Sequence, residues 1–218
     1  MKITLIGGTG RTGREILQQA LERGHEVRLI ARQPDMLGIE HERLQVWTGM
    51  PNDPEVLQPA LCCSDAVLSA LNVSRTSDWP WAPLRSPKDL ISDSIDKITR
   101  MMAVENVRRI ITISAWGVNE SSEEIPAWFA WFIRNSNIRF PYRDHARHEN
   151  ILRATDLDWT ILRPSGLTNA RDQKEVIISK QNVPKMKLTV SREQVARFIL
   201  DCLEQGRHSR EVLGISGA

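Results

Sequence analysis

The sequence predicts one α/β domain built on a doubly wound, mainly parallel sheet with helices on both faces. Three observations carry that prediction. Short apolar runs alternate with segments of helical period along almost the whole chain. The apolar runs are near-continuous rather than alternating, as in strands covered on both faces. A glycine-rich turn separates the first strand from the first helix, where parallel sheets of the Rossmann type carry one. With 218 residues, 41% hydrophobic and 26% charged, the chain has the size and balance of a single globular domain, 1–218.

The first strand is the run 3–6, stopped by Gly7 and Gly8; Ile16, Leu17, Ala20 and Leu21 then recur at helical spacing until Gly24. Runs 27–30, 44–47 and 66–71 supply the next three strands, each bounded by polar residues, glycine or proline. Residues 90–107 have a helical period, 110–113 form a fifth strand, 142–155 a helix with Pro141 at its start, and 159–162 a sixth strand. After Pro164 the pattern loosens into Asn-, Lys- and Gln-rich sequence. It holds a strand at 176–179, a helix at 192–204 and a closing strand at 212–215. Right-handed crossovers leave few ways of joining such strands other than a parallel sheet.

The formal charge of +2 is scattered along the chain, which argues against nucleic acid and against an anionic membrane as partner. Three cysteines, two of them the neighbours Cys62 and Cys63, have the spacing of neither a disulfide framework nor a zinc site. A reducing compartment is expected. The apolar run after Met1 is too short for a signal peptide or a membrane span, so the expected location is the cytoplasm.

The strongest chemical signal is the run Gly7, Gly8, Thr9, Gly10, Arg11, Thr12, Gly13 between strand and helix. Gly7 permits the tight turn, Gly10 lets the backbone approach a pyrophosphate, and Gly13 allows the helix to pack on the sheet, while the helix amides attract phosphate. Proteins that hold NAD usually end the second strand with a carboxylate for the ribose 2′-hydroxyl. Here that strand ends in Ala31-Arg32. A guanidinium matches a 2′-phosphate instead, and Arg11 can approach the same group, so NADP(H) is the expected cofactor. The alternative for Arg32 is a solvated side chain opening a loop.

Taken with the segments 65–71, 113–117 and 157–164, the glycine run resembles the atypical short-chain dehydrogenase/reductases, in particular the NmrA-like and biliverdin reductase B/flavin reductase group. The resemblance covers nearly the whole chain. It implies strand order 3-2-1-4-5-6-7, NADP(H) across the carboxyl ends of the strands, and substrates that include flavins and tetrapyrroles. It also implies that Ala70, Leu71 and Asn72 line the adenine and ribose side, that Ser114 lies near the nicotinamide, and that 164–168, with Pro164 and Leu167, packs beside that ring. Ser114 is thus the candidate catalytic residue, its hydroxyl bonding a carboxamide or a substrate heteroatom; the alternative is a bond to its own loop.

The Tyr-Lys catalytic pair of the wider superfamily is missing, because Tyr142 is followed four residues on by Ala146. Without a neighbouring lysine, Tyr142 is expected to keep a pKa of about 10. His145 and His148 share a helical face but lack further metal ligands, so no metal is expected and a solvated or core role is the simpler one. Ser165 stands where the mammalian biliverdin/flavin reductase has a histidine, which argues against tetrapyrrole reduction. Trp79, Trp81 and Trp116 fall in loops that rim the expected cleft, suited either to stacking a planar acceptor or to loop packing. Trp128, Trp131, Phe129 and Phe132 suit packing or a lid helix, and Trp47 and Trp159 suit the core.

Together these readings predict an NADPH-dependent reductase passing hydride to a flavin, quinone or similar small planar acceptor. The main alternative is a cofactor-sensing regulator of the NmrA-like kind that conducts no reaction. A sugar or isoflavone-type reductase or epimerase would need a catalytic Tyr or Lys that the chain does not show.

Overall fold

The apolar runs give β1 (Lys2–Ile6), β2 (Glu26–Ala31), β3 (Leu44–Thr48), β4 (Ala66–Ser69), β5 (Arg109–Ile113) and β6 (Asp158–Pro164). In the computed structural model, which describes residues 1–218 and all side chains except that of Met36, these strands lie parallel in the order 3-2-1-4-5-6. The seventh place belongs to β10 (Glu211–Gly217), parallel to β6, and β8 (Val176–Ser179) closes the edge antiparallel to it. The expected order therefore holds through its first six strands, while the seventh place goes to the closing strand and 176–179 is added outside it as an antiparallel edge. A separate parallel pair, β7 (Gly166–Thr168) and β9 (Thr189–Ser191), lies in the region whose sequence pattern is loose.

Ile3, Leu5, Leu68, Ile111 and Leu213 project to one face, where α1 (Arg11–Glu22) and α6 (Arg192–Glu204) cover them with Ile16, Leu17, Val195 and Ile199. Ile6, Val67, Ile110 and Ile161 project to the other, under α2 (Pro54–Leu61), α3 (Leu90–Val104) and α5 (Arg139–Arg153). All of these side chains are at most 1% exposed. Each aliphatic side chain so buried contributes roughly 1.5–3 kcal/mol before the entropy of ordering is set against it. A smaller cluster of Trp116, Ile125, Ile133 and Met186 sits under α4 (Ala127–Arg134).

Several boundaries differ from the sequence reading. β4 stops at Ser69, so Ala70 and Leu71 leave the strand at its carboxyl end. α3 stops at Val104 because Asn106 turns into the left-handed region (φ +57°). α5 starts at Arg139, with Pro141 inside the first turn, where a missing amide costs nothing. β3 pairs only with β2 and is not covered on both faces; Val46 is 38% exposed, as an edge strand allows. Trp47 is half-buried there with Arg28 over its ring, whereas Trp159 is fully in the core. Asp144 reaches from α5 to accept the Ile91 and Ser92 amides at 2.7 and 3.2 Å, capping α3 from across the fold. Burial raises its carboxyl pKa, and those bonds oppose the rise.

Candidate functional site

The carboxyl ends of β1, β2, β4, β5 and β6 open into a cleft of about 620 Å³. At its floor the glycine turn is sterically obligatory in two places. Gly7 has φ +81°, and a Cβ there would meet the Ala70 carbonyl at 2.7 Å. A Cβ on Gly13 would stand 2.1 Å from the Gly7 oxygen, so Gly13 sets the contact of α1 with the turn and does not itself line the cleft. Gly10 differs, since a Cβ there meets only the Gly7 oxygen at 3.2 Å, and the residue faces the cleft. Gly10 is also the N-cap of α1, with no side-chain cap and no acidic residue in the first turn. The first amides of α1 are thus left for an anion, with Thr9, Arg11 and Thr12 beside them.

Two guanidinium groups flank this helix end. Arg11 is held by Asp78 in a bidentate pair at 3.0 and 2.8 Å, both side chains more than half exposed. Arg192, at the first position of α6, lines the cleft although only 9% exposed; one nitrogen donates to Asn169 at 2.7 Å while Nε has no partner among the described residues. Burial and then the charge of Arg11 lower its pKa. Sequence reasoning missed Arg192 because nothing local distinguishes it from a first-turn surface arginine. At the other end, Arg32 is exposed beyond β2, lines the cleft with Gly49 and Pro51, and has no ion pair or hydrogen bond among the described residues. Ala70, Leu71 and Asn72 follow β4 along the same wall.

Beyond them the cleft reaches Ser114, Pro164, Ser165 and Leu167. Ser114 is 4% exposed and donates its hydroxyl to Glu149 at 2.6 Å. Glu149 is fully buried and also accepts from Asn119 at 2.7 Å and from Arg163 at 2.9 and 2.6 Å. Burial alone would lower the Arg163 pKa, and its two carboxylate partners, Glu149 and Glu120, more than reverse that. The Ser114 proton being committed, its oxygen offers the cleft a lone pair. Ser165, 5% exposed, has a hydroxyl with no partner among the described residues.

No acid operating near neutral pH faces this end. Tyr142 donates to the Trp116 carbonyl at 3.2 Å, and burial pushes its phenol above the usual range, so the expectation of an unperturbed value is corrected upward. His145 lines the cleft, 3.4 Å from His148 between their Nδ1 atoms, and burial pushes it down to about 4. His148 is also held well below the usual imidazole range, by burial and then by His145. No cluster of metal-binding side chains occurs among the described residues. Of the rim tryptophans, Trp116 is buried with its indole on Glu124 at 3.2 Å, while Trp79 and Trp81 lie outside the cleft on the surface. Phe129 lines the cleft, but Trp128 and Trp131 of α4 are neither core nor folded over the opening; they point to solvent.

A family described as NAD(P)H-binding matches residues 7–206. Reductase pytE of Aspergillus terreus is 24% identical over 95% of this chain and 93% of its own. The UPF0659 protein of Schizosaccharomyces pombe is 31% identical over 112 residues, 48% of this chain. This chain spans only 44% of that relative's length. A short-chain dehydrogenase/reductase of Veillonella parvula, solved in complex with NADP, superposes with a TM-score of 0.80 at 23% identity, covering 99% of this chain and 94% of that one.

Proposed function

The chain belongs to a family described as NAD(P)H-binding, and from that premise we propose that it is an NADPH-dependent reductase of flavins, quinones or similar planar acceptors. One observation carries the choice of acceptor: the inner end of the cleft holds hydrogen-bonding serines but no group able to donate a proton at neutral pH. An acceptor there must spread its own charge and take its proton from water, as flavins and quinones do.

In this reading the glycine turn and the first amides of α1 hold the pyrophosphate between Arg11 and Arg192. Arg32 pairs with the 2′-phosphate, and Ala70, Leu71 and Asn72 line the adenine and ribose. Pro164 and Leu167 support the nicotinamide ring, with the Ser114 oxygen and the Ser165 hydroxyl as the polar groups that orient the ring and acceptor. The bound cofactor supplies the hydride; the protein supplies position. Seen this way, Ser114 is a hydrogen-bond acceptor for a carboxamide N–H rather than a donor.

The test is NADPH oxidation by the purified protein with FMN, FAD, riboflavin, small quinones and biliverdin. Turnover is expected with flavins or quinones and not with biliverdin. Tight NADPH binding with silence toward every acceptor would replace this reading with that of a cofactor sensor.

A further inference from the structure

Segments 79–88 and 125–148 meet beside the cleft. Trp79, Trp128 and Trp131 are 65%, 65% and 59% exposed, and Trp81 45%. The Trp81 ring meets Phe132 edge-on at 5.9 Å, and Phe132 stacks with Phe129 at 6.4 Å. Hydrogen bonds tie the segments together: the Trp81 indole donates to the Asn135 carbonyl at 2.9 Å, and the Asn137 side-chain amide donates to the Trp81 carbonyl at 2.8 Å. The rings therefore form one surface rather than two independent loops. Four exposed indoles in one patch are more than a soluble monomer ordinarily leaves to water.

The exposed charge within these segments is basic. Residues 79–88 carry Arg85 and Lys88, and the acids that bound them are the exposed Asp78, paired with Arg11, and the exposed Asp89. Residues 125–148 carry Arg134, Arg139, Arg143 and Arg147 against a single carboxylate, Asp144, which is buried and bonded to the start of α3. Arg139, Arg143 and Arg147 recur every fourth residue, hence along one side of α5. Two acids, the exposed Glu123 and the half-buried Glu124, immediately precede this run, and Glu124 is engaged by the Trp116 indole. Indoles favour the boundary between water and hydrocarbon, and guanidinium groups beside them pair with phosphate headgroups.

We propose that this face seats the protein on an anionic lipid bilayer. The contact is peripheral, as no helix among the described residues is long and apolar enough to cross a membrane. Phe129, Ile138 and Tyr142 belong to the same two helices or their junction and line the cleft, so the docking face and the cleft share a wall. If the reductase reading above holds, which this step rests on, the acceptor is a lipophilic quinone drawn from the bilayer.

Vesicle flotation of the full chain tests the docking. The protein is expected to float with vesicles of phosphatidylcholine mixed with phosphatidylglycerol, less so at high salt, and to sediment with phosphatidylcholine alone. Trp128→Ser with Trp131→Ser, and separately Arg139→Gln with Arg143→Gln, should weaken vesicle binding roughly tenfold or more. NADPH oxidation by a short-chain, water-soluble quinone should be unchanged in both. Absence of flotation, flotation indifferent to phosphatidylglycerol, or variants that float like the parent would overturn the proposal. So would a dimer that the tryptophan variant dissolves, because the patch would then seat a second copy. Silence toward every acceptor with flotation intact would support the docking and sink only the reductase reading.

Discussion

Ser114 donates to Glu149, and that one bond changes what the residue is able to do. Held by a buried carboxylate, its oxygen has a lone pair to offer the cleft but no proton to give. Ser114→Ala should slow hydride transfer several-fold, the loss of a hydrogen bond of roughly 0.5–1.5 kcal/mol. Tyr142→Phe should cost little, because burial keeps the phenol protonated and its hydroxyl is engaged with the Trp116 carbonyl. Single-turnover NADPH oxidation reports the step apart from product release; a Tyr142→Phe defect far exceeding that of Ser114→Ala would refute this account. At the opposite end of the cleft, Arg32→Ala should remove a charge-assisted contact of roughly 1.5–3 kcal/mol with the 2′-phosphate. NADPH affinity should then fall toward that for NADH, with NADH affinity nearly unchanged. Titration calorimetry with both cofactors decides it, and equal affinities in the parent protein would remove the basis for the NADP assignment.

At the scale of elements, the join of β1 and α1 contains two glycines with different duties. A side chain on Gly13 would collide with the Gly7 carbonyl at 2.1 Å, a backbone atom with nowhere to go. Gly13→Ala should therefore displace α1 and lower the unfolding temperature. A Cβ on Gly10 would stand 3.2 Å from the Gly7 oxygen, a close contact that a shift of a few tenths of an ångström relieves, and a valine there would chiefly fill the volume above the uncapped helix end. Gly10→Val should leave far-ultraviolet circular dichroism and melting close to the parent while abolishing dinucleotide binding. Retained NADPH binding in Gly10→Val would mean that the phosphates lie elsewhere.

For the molecule as a whole, the buried His145 and His148 pair ties stability to pH. Burial holds His145 at about 4, so it is neutral in the folded chain, whereas an unfolded chain takes up that proton near pH 6.5. Stability from the pair is fully present above about pH 6.5 and declines as pH falls toward 4. Glu120 acts in a lower window: hydrogen bonds from Arg153 and Arg163 hold it at about 2, so its contribution is present above about pH 4.5 and fades toward 2. Calorimetric melting should show Tm dropping between pH 7 and 4.5, with a shallower slope in the His145→Gln, His148→Gln double variant. An identical slope would remove the histidines as the cause.

Strand order, the two helical layers and the glycine turn were legible in the chain because each rests on short-range physics: apolar period, crossover handedness and the room a Cβ requires. Arg32 and Ser114 were legible for the same reason, lying at the carboxyl ends of strands recognisable by their composition. What Ser114 does with its proton was not, because Glu149 is thirty-five residues away and meets it only when α5 packs on β5 and β6. Arg192 reached the cleft through the same kind of long-range closure, from a segment whose own pattern is loose. The scattered charges gave no warning of a cationic face, and the tryptophans read as packing or lid. Tertiary contacts between residues 79–88 and 125–148 join the aromatic rings of the two segments, and only the topology of the sheet brings those segments together.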